Sequence, residues 1–200
     1  MGFAHIKTTP IKPALFLAGI ALLFSLAACA PKCIIKGQVV DAETNQPIDG
    51  AAVAIRWFDH QPETESDTAQ TVAAAQDLSD KNGTFSVPGY PDKNYAMGVY
   101  KEGYICWSSR SAFARDENAK TKPPLPLPVE NGMQIRLSPL TEEHSRDEHA
   151  AFTVLVAGEV TQSKKDPFYQ AILPLFREWR DNLRREFQRK IGDQNRAEPR

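Results

Sequence analysis

At 200 residues the chain has room for one ordinary domain with extensions, which excludes a large multidomain enzyme. Its 24 basic and 25 acidic residues leave a formal charge of −1, and no long tract of like charges marks a nucleic-acid-binding tail. Pro (15) outnumbers Gly (11) in a chain that is 42% hydrophobic, a balance that suits short strands joined by turns and disfavours a long helical bundle.

In chain order, Lys7 and Lys12 precede an uncharged run from Ala14 to Ala30, the charged-then-apolar layout of an export signal. The run is marginal for a membrane span, which needs about 20 apolar residues. It ends in Leu26-Ala27-Ala28-Cys29, where small side chains suit an extended peptide entering a protease pocket. This tetrad resembles the lipobox of bacterial lipoproteins, a likeness covering residues 1–29. The resemblance implies diacylglycerol on the Cys29 sulfur, cleavage before Cys29 and acylation of the new amine. Acyl chains contribute about 0.8 kcal/mol per buried CH₂, so several of them hold a protein at a bilayer. Ala30 in place of Asp implies, by enterobacterial-type sorting, the periplasmic face of the outer membrane, with the inner membrane as the less favoured site. The competing readings of the same run are an ordinary signal peptide cut after Ala28 and an uncleaved anchor. Loss of Lys7 and Lys12 with the leader takes the charge from −1 to −3.

From Cys33 the pattern alternates, with Ile35, Gly37 and Val39 on one face and Lys36 and Gln38 on the other, as in a half-buried strand. Asp41 to Gly50 is dense in turn formers, and Ala51 to Trp57 resumes an apolar run. Further strands are expected at Thr71–Leu78, Gly83–Val87, Tyr95–Lys101, Tyr104–Phe113 and Met133–Pro139. Seven short strands suggest two packed sheets.

Lys36-Gly37-Gln38-Val39-Val40-Asp41, then Thr44 to Pro47, then Gly50-Ala51-Ala52-Val53 resemble the opening of the carboxypeptidase regulatory-like domain, a transthyretin-like β-sandwich. Asp80-Lys81-Asn82-Gly83-Thr84-Phe85, and Tyr95 to Val99 followed by Lys101 to Tyr104, are similar to its later hairpin and strand pair. The resemblance spans residues 33 to 139 and implies an accessory, binding or spacing module, without the zinc peptidase portion found elsewhere in carboxypeptidases. Two stretches depart from it, Gln61–Gln70 and Ala114–Asn131. The second holds Pro123 to Pro128, a polyproline II candidate that serves either as a stiff connection or as a ligand for an aromatic groove.

After Pro139 the period turns helical. Thr141 is the expected cap of a helix running to about Val160, with Leu140, His144, Ala151, Phe152, Leu155 and Val156 mainly on one side. Asp166-Pro167 opens a second, whose Phe168, Ile172, Phe176, Trp179, Leu183, Phe187 and Ile191 recur at spacings of three or four. Pro174 predicts a kink or short break near Ala171 to Pro174. Beyond it, Arg177, Arg180, Arg184, Arg185, Arg189 and Lys190 outnumber Glu178, Asp181 and Glu186. Such a helix either packs its stripe on the sandwich, the commoner arrangement, or lays its basic face on an anionic bilayer or a partner.

The inventory for chemistry is thin. His60, His144 and His149 survive loss of the leader, and His144 with Glu148 one turn on and Asp147 nearby is the only grouping that suggests proton transfer or metal ligation. A charged first turn explains it better. No His-Glu-x-x-His helix, Gly-x-Ser-x-Gly elbow or phosphate-binding Gly loop is present. Asp80, Asn82 and Gly83 resemble the start of a calcium loop, yet Pro91 stands where the closing acid belongs, and a hairpin turn explains them more simply. Cys33 and Cys106 are left as an even pair in an oxidising compartment, either bridged or two thiols.

The expectation is therefore a mainly β protein: signal peptide 1–28, lipidated tether 29–32, seven-stranded transthyretin-like or Ig-like sandwich 33–140, helical extension of about two helices 141–192, and disordered tail 193–200. Its expected work is non-catalytic binding or scaffolding at the envelope, without cofactor, metal or catalytic residues, with a protein partner and no nucleic acid. The rival expectations are a membrane-surface or partner-docking sensor using the basic helix, and a hydrolase using His144 with its acidic neighbours.

Overall fold

A computed structural model describes residues 33–60, 70–90, 92–113 and 128–197. All described residues belong to one compact unit. The leader, the tetrad Leu26-Ala27-Ala28-Cys29, residues 61–69 and most of the proline run lie outside the described residues.

Alternating apolar residues become strands that pair into two sheets. One has the order β4-β1-β7, from β1 (Cys33–Asp41), β4 (Thr84–Gly89) and β7 (Met133–Leu137). The other has the order β3-β2-β5-β6, from β2 (Ala52–Phe58), β3 (Thr71–Leu78), β5 (Asn94–Tyr100) and β6 (Trp107–Ser108). Among the described strands only β1 and β7 pair in parallel. The inner faces meet in one core, where Val39, Phe85 and Ile135 of the first sheet pack with Ile55, Trp57 and Met97 of the second. A mainly β body of two sheets carrying two helices is what the sequence led us to expect.

β2 explains why one sheet needs a further layer. Val53, Ile55 and Trp57 point into the core between the sheets, while Ala52, Ala54 and Phe58 on its other face are equally buried, beneath helices. Those helices are α1 (Arg146–Val160) and α2 (Pro167–Ala197). They close down on β5 at Gly98, where an added Cβ would stand 2.7 Å from Val156 Cγ1 and 3.3 Å from the Phe168 ring. The glycine of this strand thus sets how near the helical layer lies.

The turn formers act through their carboxylates. Asp41 Oδ1 accepts from the Glu43 and Thr44 backbone N–H groups at 2.9 and 2.8 Å, and its Oδ2 accepts from the Tyr104 hydroxyl at 3.0 Å. The Thr44 amide above all holds this carboxyl below its ordinary pKa, against the opposing effect of burial. Asp80 Oδ1 likewise accepts from Asn82 N at 2.8 Å and Thr84 N at 2.9 Å. The Asp80 to Gly83 signal is therefore a hairpin turn, with Gly83 at φ +72° and only 2.3 Å between an added Cβ and the Val39 carbonyl oxygen.

Several expected boundaries move. The strand expected over Tyr104–Phe113 shrinks to Trp107–Ser108, because Ser108 Oγ accepts from Arg110 N (3.1 Å) and Ser111 N (3.3 Å) and turns the chain away. Ser145, not Thr141, caps α1, its side chain accepting from Glu148 N at 3.3 Å. The buried face of α1 is His149, Ala150, Thr153, Val156, Ala157 and Val160, whereas Leu155 is 55% exposed. α2 runs unbroken through Pro174, and its backbone stays helical past residue 192 to Ala197, into the segment expected to be a disordered tail. The break is overridden because packing pins both flanks: Phe168 and Ile172 before it are buried, Phe168 N–H donates to Gln76 Oε1 of β3 at 2.9 Å, and Leu175 after it packs against the same core cluster.

Candidate functional site

Two features of the helical layer have functional geometry. The first is a cleft of about 280 Å³ where α1, α2 and the chain leaving β5 converge. Tyr100 and Glu102 form one wall, Arg146, Asp147 and His149 of α1 a second, and Glu178, Trp179 and Asn182 of α2 a third. Its rim is crossed by two polar contacts, Asn182 Nδ2 donating to Asp147 Oδ1 at 3.3 Å and Arg146 Nη1 lying 3.8 Å from Glu178 Oε1.

His149 is the distinctive wall residue. Only 1% exposed, it sits one turn inside α1 because Ser145 starts the helix where it does. Its Nε2 accepts from the Cys106 backbone N–H at 3.0 Å. Burial, with a smaller contribution from His144, pushes its pKa down to about 4, so the ring is neutral at ordinary pH. A neutral imidazole whose Nε2 accepts must carry its proton on Nδ1. That Nδ1 is buried and has no hydrogen-bond partner. On another wall of the cleft, the Tyr100 hydroxyl is pushed up to about 12 by burial and then by Glu102, so it too stays protonated.

The second feature is the far half of α2. Leu183, Phe187 and Ile191 are 45%, 63% and 37% exposed, and at 100° per residue they form one stripe. Arg184 and Lys190 border that stripe, Arg180 stands within it, and Arg177, Arg185 and Arg189 lie further round. Arg180 is engaged locally with Asp181 at 3.2 Å, and Arg185 donates to Asn182 Oδ1. The structure thus splits the predicted stripe: Phe168 and Ile172 cover the sheet, and the Arg-rich turns do not.

The remaining predicted residues are placed as follows. Cys29 and the tetrad before it lie outside the described residues. Cys33 opens β1 in one sheet, while Cys106 sits beside β6 at the edge of the other, so the strand adjacency that a bridge requires is missing and neither is in a disulfide. His144 precedes the helix, so it shares no helical face with Glu148. Its Nδ1 accepts from Thr141 N at 3.1 Å. Among the described residues no group of three or more His, Cys, Asp or Glu is placed to hold a metal ion.

Sequence reasoning missed His149, Tyr100, Glu102 and Trp179 as a group. The available signal was the spacing of His149, Thr153, Val156 and Val160, which marks a helical face that competed with the one around Phe152 and Leu155.

No protein-family model and no curated protein matches the sequence. Solved structures with partial similarity include hydroxyquinol 1,2-dioxygenase from Pseudomonas putida DLL-E4, at 15% identity and TM-score 0.34, covering 57% of this chain and 58% of that one. Another is 3-chlorocatechol 1,2-dioxygenase from Rhodococcus opacus 1CP, at 17% identity and TM-score 0.36, covering 56% and 61%. A third is the C-terminal domain of a shaft pilin from Lactobacillus rhamnosus GG, at 17% and 0.30, covering 54% and 97%. The chain therefore spans less than two thirds of the length of these two dioxygenases. The expectations of a non-catalytic binding or scaffolding module and of no enzyme are corrected by these neighbours, several of which are enzymes. At these scores the likeness assigns no reaction, substrate or metal to this chain.

Proposed function

We propose that this chain is a lipoprotein of the periplasmic face of the outer membrane, tethered through acyl chains on Cys29, and that the far half of α2 docks on the anionic bilayer surface beside the tether. The fold we assign to its body is a seven-stranded, transthyretin-like sandwich of the carboxypeptidase regulatory-like type, a reading supported by the order of the short motifs between Lys36 and Tyr104.

The observation that carries the docking is the exposed stripe Leu183, Phe187 and Ile191, set among six basic residues and three acidic ones between Leu175 and Ile191. Apolar side chains that miss the protein core can enter the headgroup boundary, and Arg and Lys bordering them reach phosphates while their stems stay apolar. A bilayer is a better match than a protein groove because the net positive charge of this stretch attracts anionic lipid, at about 1 kcal/mol per basic residue near the surface. The tether adds proximity. Three residues separate the lipidated position from Cys33, so the first strand starts within about 14 Å of Cys29.

The test has two parts. Mass spectrometry of the protein from its native host is expected to find diacylglycerol on Cys29 and a chain beginning there; an unmodified thiol would reject the tether. The chain from residue 29 with Cys29→Ser is expected to sediment with phosphatidylglycerol vesicles, less so at high salt, and not with phosphatidylcholine vesicles. Equal binding to both would reject the electrostatic docking.

A further inference from the structure

We propose that a second copy of this chain covers the far half of α2 when no bilayer does, the basic arm of each protomer lying across the acidic end of the other. The regulatory consequence rests on the docking reading above, because the face that meets lipid is then withheld from it.

The acidic end is built by three stretches that the fold brings together. Tyr104, after β5, donates its hydroxyl to Asp41 at the end of β1, and Leu140, before α1, donates its N–H to the Gly103 carbonyl at 2.9 Å. Exposed Glu43 and Asp49 therefore share one end of the sandwich with Glu102, Glu142, Glu143, Asp147 and Glu148, all exposed. The bases in those stretches, Lys101 and Arg146, are engaged: Lys101 Nζ donates to the Asp49 carbonyl at 2.7 Å, and Arg146 lies 3.8 Å from Glu178. α2 passes this end, where Leu175 and Trp179 line the cleft together with Tyr100, Glu102 and Gly103. It then carries the opposite charge, six basic residues against three acidic ones between Leu175 and Ile191.

The helix cannot satisfy that attraction on its own body. It is unbroken from Pro167 to Ala197, is anchored where Phe168 and Ile172 are buried, and is clipped to α1 by Asn182 Nδ2 on Asp147 Oδ1 at 3.3 Å. Its last turns extend about 22 Å past Asn182 and have no hinge on which to fold back. A second copy is free of this restraint, and about a two-fold axis each contact occurs twice. The apolar stripe gains cover as well, because Leu140, Leu175 and Trp179, half-buried around the cleft of the facing copy, offer apolar surface to Leu183 and Phe187. Lipid and partner thus compete for one face, and the dimer is the form of the protein that stays off the bilayer.

The chain from residue 29 with Cys29→Ser is followed by sedimentation velocity, with reductant present because Cys33 is exposed and free. A dimer is expected that grows with protein concentration, is lost at high salt and dissociates on addition of phosphatidylglycerol vesicles. Arg184→Glu with Lys190→Glu makes the arm acidic, and Glu142→Lys with Glu143→Lys makes the end basic; each double variant alone is expected to dimerise at least about tenfold more weakly, since like charges then face each other. Mixed, the two variants are expected to regain the dimer, because the acidic arm meets the basic end and the basic arm meets the acidic end. The variant altered at Glu142 and Glu143 is expected still to sediment with the vesicles. A monomer at every concentration, a dimer indifferent to both variants, a mixture that pairs no better than either variant alone, or a dimer carried intact onto vesicles would overturn the proposal. Pairing of the mixture without any vesicle binding by the unsubstituted chain would remove the bilayer reading and leave the dimer, and vesicle binding without pairing would do the reverse.

Discussion

α2 is one continuous helix with two different environments. Its first turns press Phe168 and Ile172 onto β2 and β5, whereas its last turns present Leu183, Phe187 and Ile191 to solvent. The sequence period is the same throughout. What differs is whether a sheet lies beneath, which shows that an amphipathic stripe specifies an apolar contact but not its partner. The near half acts on the stability of the fold, and the far half is available for function.

The sharpest way to break that comparison is to delete one near-half side chain. Phe168 is fully buried, stacks edge-on against Tyr100 at 6.4 Å between centroids, and fills the space left by Gly98. Phe168→Ala removes the ring and leaves a cavity under the helix, so denaturant unfolding is expected to show a loss of about 3–5 kcal/mol. A loss below about 1 kcal/mol would mean that the helical layer is only loosely seated on the sheet.

The next effect is smaller and depends on pH. His149 titrates near 4 in the fold, because burial opposes its charge, and near 6.5 when unfolded. Between those values the unfolded chain binds more protons, so stability is full above about 6.5 and falls as the pH drops towards about 4, by at most about 3 kcal/mol. Denaturant midpoints at pH 7 and 4.5 check this. His149→Gln, which keeps an acceptor for the Cys106 N–H, is expected to flatten the dependence, and an unchanged slope would remove His149 from the account.

How much of this was legible follows the same division. Strand positions were readable wherever alternation met a turn signal, as in β1 with Asp41 and β4 with Asp80 and Gly83, because both depend on neighbours in the chain. β6 was overestimated because Tyr104 to Phe113 has strand-forming side chains, and its end depends on the Ser108 hydroxyl capturing two amides. The face of α1 was misread because apolar residues stand all round it, so only the sheet beneath chooses between Val156 and Leu155. The cleft was invisible for a related reason. Tyr100, His149 and Trp179 are far apart in sequence and meet only through tertiary packing, and the orphaned Nδ1 depends on a backbone amide at Cys106. Conversely, the Arg-rich face was readable as a composition, while its exposure was not.

The smallest expected effect on stability carries the most weight for function. Leu183→Ser combined with Phe187→Ser alters side chains that are already about half in water and belong to neither core cluster. Exposed substitutions of this kind usually stay within about 0.5 kcal/mol, so the unfolding midpoint is expected to match the unsubstituted chain. Sedimentation with phosphatidylglycerol vesicles is expected to fall sharply in the same protein, because the apolar part of the docking is removed while every Arg is kept. A variant that unfolds earlier would show that the far half packs on the body after all, and one that is stable yet still binds fully would show that charge alone holds it. Only stability retained with binding lost is compatible with a helix whose two halves answer to different solvents.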